Sequence, residues 1–241
     1  MLCRISLSST SRSRFTRAAQ NIDADHPAQA RLIRLILWAR ELGVLRRRTQ
    51  GGQSQAAVSN NGHIWSDLPF FVPDVQHTWK AVMEKPSPPS HRYNLAAGIA
   101  RLAGVRVCSD AFAQCRLEVM KVAFEIPRGP LKFVSLLPFD IVKVWLRYAG
   151  DQLLRLSLTG LPADGAWAFN AWTVDSDGQP VGPLARQAGI TEGGFSRDRF
   201  VFWKRRLATL KMESEDEIAV VSQCASMIHG IWYDYFRPSK K

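Results

Sequence analysis

The sequence has no long apolar run. A helix that crosses a bilayer needs about 20 mostly apolar residues, and the richest stretch, Leu32 to Trp38, is short and broken by Arg34. No membrane span is expected. Cysteine is scarce: Cys3, Cys108, Cys115 and Cys224 are the four present. None stands in a C-x-x-C pair, and no histidine lies at zinc-ligand spacing from one. Free thiols in a reducing compartment, with no metal, are expected. The chain also lacks a G-x-S-x-G elbow, a Walker A loop, an H-E-x-x-H pair and a G-x-G-x-x-G turn. Those absences argue against serine hydrolases, P-loop enzymes, zinc proteases and dinucleotide-binding enzymes, so no cofactor is expected. "DSDG" at 175–178 begins like a calcium loop, but the later bidentate glutamate is missing and a surface turn is the better reading. No alternating β pattern of any length and no internal repeat is visible.

What is present is an ordinary globular composition. The 241 residues are 46% hydrophobic and 22% charged, enough for one sizeable core. The net charge of +11 invites a nucleic-acid reading, but it is unevenly placed. Residues 1–48 hold ten arginines and no lysine against Asp23, Asp25 and Glu41, so most of the excess lies at one end. A DNA-binding body would more often spread a basic stripe over its fold. The first 22 residues are rich in arginine and serine and contain no acid, the composition of a disordered tail or a mitochondrial targeting segment. The expected body is a single helical domain over 23–237, cytoplasmic or nuclear, with the mitochondrion as the alternative address.

The rhythm of the body is helical. From Pro27, Leu32, Leu35, Ile36 and Ala39 share one face while Arg31 and Arg34 lean outward, with Gly43 ending the helix. Residues 44–63 read as a flexible loop and 84–92 as a Pro-rich connector. A short helix is expected near Asp74, and Asn94 can cap the next. Ser109 opens another, carrying Phe112, Cys115, Val119 and Val122, with Cys108 and Cys115 read as buried thiols; Pro127 stops it. The longest helix spans about 138–158 with apolar residues on two sides, as for a central helix. Gly150 inside it should cost about 1 kcal/mol relative to alanine, which points to a close helix crossing or a bend. Residues 159–194 read as a long loop carrying Trp167 and Trp172. Two closing helices have clear starts: Ser196 as N-cap, with Phe195 and Phe200 as a staple, and Ser214 with Glu217 as a capping box. The last carries Ile218, Val221, Ala225, Ile228 and Trp232 as its inner stripe. The fold class is all-α, an irregular bundle of about six or seven helices.

"GFSRDRFVFWKRRL" (194–207) crowds aromatic and basic residues together. On a helix from Ser196, Phe200, Trp203, Leu207 and Leu210 recur at i, i+3, i+7 and i+10 and claim the core. Lys204, Arg205 and Arg206 fall beside or opposite that stripe, and Arg197 and Arg199 occupy the first turn. The segment reads as a core helix with a solvated basic face rather than a phosphate-binding surface.

This segment also resembles a signature of DUF3632, a family of uncharacterised proteins of filamentous fungi. "IWSDLPFFVPDVQHTW" (64–79), "NLAAGIARLAG" (94–104) and "WLRYAG" (145–150) fit in order, so the resemblance covers roughly 27–235. It departs at Gly98, where an aromatic is usual, and at Phe200, where Trp is common. It implies an all-α intracellular fungal protein and carries over no catalytic residues.

Three side chains stand as candidates for chemistry: Asp67, His77 and Arg101. Asp67 lies among Trp65, Leu68, Pro69 and Phe70, where burial would perturb its pKa, but capping a turn or pairing with Arg101 accounts for it better. His229, on the last helix, reads as structural. Two functions follow as expectations. The first is a non-enzymatic helical protein that binds another protein or a second copy of itself, through an exposed apolar patch near Trp167 and Trp172. The second is an enzyme or accessory protein acting on a small apolar metabolite, which needs a helix-lined pocket with converging polar groups. Nucleic acid is the least favoured partner.

Overall fold

The computed structural model describes residues 14–49, 51–59, 62–63, 66–108, 110–127, 137–162, 179–210 and 214–237. Among these the chain forms nine helices and four strands of two or three residues, so the fold is all-α as expected. It divides into two compact units, Met1–Phe112 and Ala113–Lys241.

The first unit opens with α1 (Arg14–Asn21) and α2 (Pro27–Glu41). The basic tail expected through residue 22 is therefore helical from Arg14. Phe15, Thr16 and Ala19 are buried while Arg14 and Arg17 face outward. A composition argument counts the arginines and overlooks that short inward stripe.

α2 starts where Pro27 predicts, with His26 as N-cap: its Nδ1 accepts from the Ala28 N–H at 3.1 Å. Its inward face differs from the expected one. Gln29 and Ile33 are buried, whereas Leu35 is 55% exposed. The cause is polar. The Gln29 side-chain amide donates to the carbonyls of Ala19 (2.9 Å), Ile22 (2.9 Å) and Asn94 (3.3 Å), and that inward hold fixes the helix rotation.

Residues 44–63 contain two antiparallel ribbons rather than only a loop: β1 (Arg46–Arg48) with β2 (Ser54–Ala56), and β3 (Val58–Ser59) with β4 (Gly62–His63). Helix α3 runs Phe71–Glu84, and α4 runs Pro89–Gly104, starting inside the expected connector. Asn94 is thus not a cap. It lies buried within α4, its Oδ1 accepting from the Ala24 N–H (2.9 Å) and its Nδ2 donating to the Gln20 carbonyl (3.0 Å). Phe15, Phe71 and Phe112 meet edge to face in sequence, with centroids 5.1 and 6.4 Å apart.

In the second unit, α5 spans Ala113–Phe124, so Cys108 belongs to the turn before it and not to the same helix as Cys115; Ser109 lies outside the described residues. The long helix α6 (Leu137–Thr159) buries Phe139, Val142, Trp145 and Leu153. The 159–194 stretch includes one short helix, α7 (Pro183–Gln187); Trp167 and Trp172 lie outside the described residues. α8 (Arg197–Thr209) and α9 (Glu215–Phe236) begin at Ser196 and Ser214, whose hydroxyls accept from the N–H groups of Arg199 (3.2 Å) and Glu217 (3.3 Å). Phe195 packs edge to face on Trp203 rather than stapling Phe200, which stacks on Trp232 at 5.6 Å. Val221, Cys224 and Ile228 carry the buried stripe of α9, and Ile218 is exposed.

Gly150 marks a close crossing and sits beside a bend: Ala149 departs from helical geometry (φ −144°, ψ 25°). A Cβ on Gly150 would lie 2.3 Å from Ile231 Cδ1. Alanine at this position gains about 1 kcal/mol of helix propensity but meets the Ile231 tip. Gly150→Ala alone should be close to neutral in urea unfolding. In an Ile231→Val background, which removes Cδ1, it should stabilise, with a coupling of about 0.5–1 kcal/mol. Strict additivity would show that Ile231 does not set the limit.

Candidate functional site

The three candidate side chains occupy different settings in the first unit. Asp67 is exposed and closes the turn after β4. Its Oδ2 accepts from the His63 N–H at 2.8 Å, and that bond holds its carboxyl below the usual carboxylate range. A Cβ on Gly62, whose φ is +124°, would strike the same oxygen at 2.5 Å, so only glycine lets the turn close this way. Arg101 lies on α4, where its Nη2 donates to the Ala24 carbonyl at 2.7 Å and ties down the α1–α2 turn. His77 is exposed on α3. No hydrogen bond joins Asp67, His77 and Arg101 to one another among those described.

The strongest concentration of charge is inside the second unit. Glu125, just past the end of α5, and Arg199, in the first turn of α8, are both fully buried. Glu125 Oε1 accepts from Arg199 Nε (2.6 Å) and Trp203 Nε1 (2.8 Å). Its Oε2 accepts from Arg199 Nη2 (2.9 Å) and from the Gly182 N–H (2.8 Å). Arg199 Nη1 donates to the Gly194 carbonyl (2.6 Å), and Nη2 also reaches the Pro180 carbonyl (3.2 Å). The basic face expected for this helix therefore loses Arg199 to the interior. A carboxylate offers about four acceptor sites, and all are occupied here. Glu125 has no free acceptor site and no room for a substrate, so the cluster holds structure. Gly182 is required beside it: a Cβ there would come within 2.5 Å of Glu125 Cβ and 2.8 Å of its carbonyl oxygen. Two neighbouring bonds complete the clasp, Leu184 N–H to the Glu125 carbonyl (3.0 Å) and Lys121 Nζ to the Gln179 carbonyl (2.6 Å).

That clasp fixes the walls of an open cleft of about 620 Å³ between the 188–192 turn and the outer side of α8. The volume is that of small-molecule sites. Its lining is mostly polar, with the exposed Glu192, Asp198 and Arg205 among it, and Ile190, Val201 and Phe202 supply the apolar part. Phe202 packs on the buried cluster of Val181, Ala185 and Ile190.

Burial pushes the Cys108 thiol up to about 11, the Cys224 thiol to about 12 and the Cys115 thiol well above its ordinary value. Such thiols are poor nucleophiles. Among the described residues no group of three His, Cys, Asp or Glu side chains is placed to hold a metal ion, and no helix is long and apolar enough to cross a membrane.

A family model described as a protein of unknown function (DUF3632) matches residues 13–207. The chain belongs to this family. The DUF3632 match contains α1 through α7 and most of α8, and with them Glu125, Gly182, Arg199, Trp203 and the whole cleft. The chain is also 27% identical over 220 residues to "Oxopyrrolidines biosynthesis cluster protein G" of Penicillium oxalicum, an alignment covering 82% of this chain. It spans only 57% of that relative's length. No solved structure matches.

The importance of Glu125 and Arg199 was readable only indirectly. A carboxylate at a helix C-terminus and a guanidinium in a first turn both oppose the helix dipole, so each signals a partner elsewhere. Removing one member strands a buried charge. Glu125→Gln or Arg199→Met should each cost about 3–5 kcal/mol in urea unfolding. The double Glu125→Met, Arg199→Met variant should lose clearly less than the sum of the two; additive losses would mean the pair is not coupled. In a Cys3→Ser background, Ellman's reagent at pH 8 should leave the native protein almost unlabelled and find three thiols after unfolding. Rapid native labelling would contradict the burial.

Proposed function

We propose that this member of DUF3632 works as a helical docking module for another protein. One observation carries the reading: α2 presents an apolar stripe to solvent. Leu35, Trp38 and Leu42 recur at i, i+3 and i+7 and are 55, 61 and 77% exposed. The partly exposed Val44 and Leu45 extend it past the helix end. Single exposed apolar residues are ordinary, but a contiguous stripe with a tryptophan at its centre is the kind of surface that partners cover. Leu35 belonged to the expected core stripe; its outward position is what makes the face. Free thiols, with Cys115 and Cys224 buried and Cys108 partly so, support work in a reducing compartment.

A second reading has its own support. The second unit carries a 620 Å³ cleft where Val201 and Phe202 stand beside Glu192, Asp198 and Arg205, and the similar Penicillium oxalicum protein is named for an oxopyrrolidine biosynthesis cluster. On this reading the chain is an accessory protein that holds a small metabolite against Phe202. The cleft is lined by neither Asp67, His77 nor Arg101.

Native mass spectrometry of the chain purified gently from a filamentous-fungal host separates the two. The docking reading expects a discrete co-purifying protein that is lost in the Leu35→Ser, Trp38→Ser variant while thermal stability stays nearly unchanged, because both side chains are exposed. A bound small mass that survives this variant and disappears in Phe202→Ala would overturn it in favour of the metabolite reading.

A further inference from the structure

We infer that the α2 face takes an acidic amphipathic helix from another chain; this rests on the docking reading above and names the partner's chemistry. The face is apolar along its length and basic at both ends. Arg31 lies one turn before Leu35 in line with the stripe, and Arg34 flanks it; both are exposed, and no carboxylate among the described residues pairs with either. Past Leu42 the chain continues through Val44 and Leu45 into β1, which carries the exposed Arg46 and Arg48. Glu41 is the one acid on or next to the stripe. Arg40 does not contribute, because its guanidinium turns inward to the carbonyls of Val107 and Ser66.

From Arg31 to Leu42 the surface extends about 16 Å at the helical rise, roughly three turns. A helix with leucines at i, i+3 and i+7 can lay a matching stripe along it. Carboxylates flanking those leucines would meet Arg31 and Arg34 at one end and Arg46 and Arg48 at the other, which sets direction as well as affinity. A second copy of this chain fits poorly, since pairing two α2 faces sets arginines against arginines. Nucleic acid fits less well: Trp38 alone can stack on a base, while Leu35, Leu42, Val44 and Leu45 around it neither stack on bases nor reach phosphates.

The test uses the full chain and two labelled synthetic peptides. Both carry leucine at i, i+3, i+4 and i+7; one has glutamate at the remaining positions and the other lysine. Fluorescence anisotropy should show the glutamate peptide bound at least tenfold more tightly than the lysine peptide, and more weakly as salt rises. Trp38→Ala with Leu35→Ala should weaken binding about thirtyfold, as for loss of a central aromatic anchor. Arg31→Glu with Arg34→Glu should reverse the preference between the two peptides. Equal binding of both peptides would overturn the inference. So would binding of a random-sequence DNA duplex that Leu35→Ala leaves intact, or dimerisation in sedimentation that Leu35→Ser abolishes. If neither peptide binds yet the co-purifying protein still depends on Leu35 and Trp38, the acidic class falls while the docking reading stands. If nothing depends on that stripe, both fall.

Discussion

The second unit depends on one buried ion pair. Glu125 and Arg199 come from segments 74 positions apart, and the carboxylate gathers the guanidinium, an indole N–H and a backbone N–H around a single point. Taking both charges out of water costs several kcal/mol per ion, so the pair is tolerable only because every acceptor site of Glu125 is filled. Completeness is what turns the pair into a positioning device. It holds the end of α5, the 180–184 turn and the first turn of α8 in one register, and the Gly194 carbonyl bound to Arg199 extends that hold to the loop entering α8. The cleft against Phe202 inherits its walls from the same bonds.

A parallel arrangement, neutral rather than charged, organises the first unit. Gln29 and Asn94 are buried amides that bind the main chain of the α1–α2 region from opposite sides, and Arg101 adds a third bond to Ala24. A buried Gln29 NH2 group or Asn94 amide left unpaired would cost more than it contributes, so the carbonyls of Ala19, Gln20 and Ile22 and the Ala24 N–H dictate where α1 ends and how α2 departs. Gly98 belongs to the same arrangement: a Cβ there would crowd Ala19 Cβ at 3.1 Å, so the small residue lets α1 lie close against α4.

Those two clusters also show where the sequence was and was not legible. Helix identity was legible from apolar spacing and local caps: Ser196, Ser214 and Pro27 act at the helix starts they announce, and the stripe Phe200, Trp203, Leu207 is buried as its periodicity requires. Orientation and partners were not. Hydrophobic periodicity treats Gln29, Asn94 and Arg199 as outward residues, because it cannot see hydrogen-bond partners 10, 70 or 74 positions away. The same blindness turned Asn94 into a cap and α1 into part of a tail. For the candidate side chains, the turn-capping account of Asp67 was available from its neighbours, whereas the grip of Arg101 on Ala24 needed the tertiary fold.

The exposed face of α2 follows from this polar interior. Gln29 and Ile33 point inward, and Arg40 points the same way to reach Val107 and Ser66. At 100° per residue, positions 31, 35, 38 and 42 then fall on the opposite side. Turning Leu35 and Trp38 inward would require Gln29 to abandon the carbonyls of Ala19 and Ile22, stranding a buried amide and its acceptors. The interior hydrogen bonds of the first unit therefore hold an apolar, arginine-flanked stripe in water, and the energetic preference for covering it passes to whatever chain can supply leucines and carboxylates together.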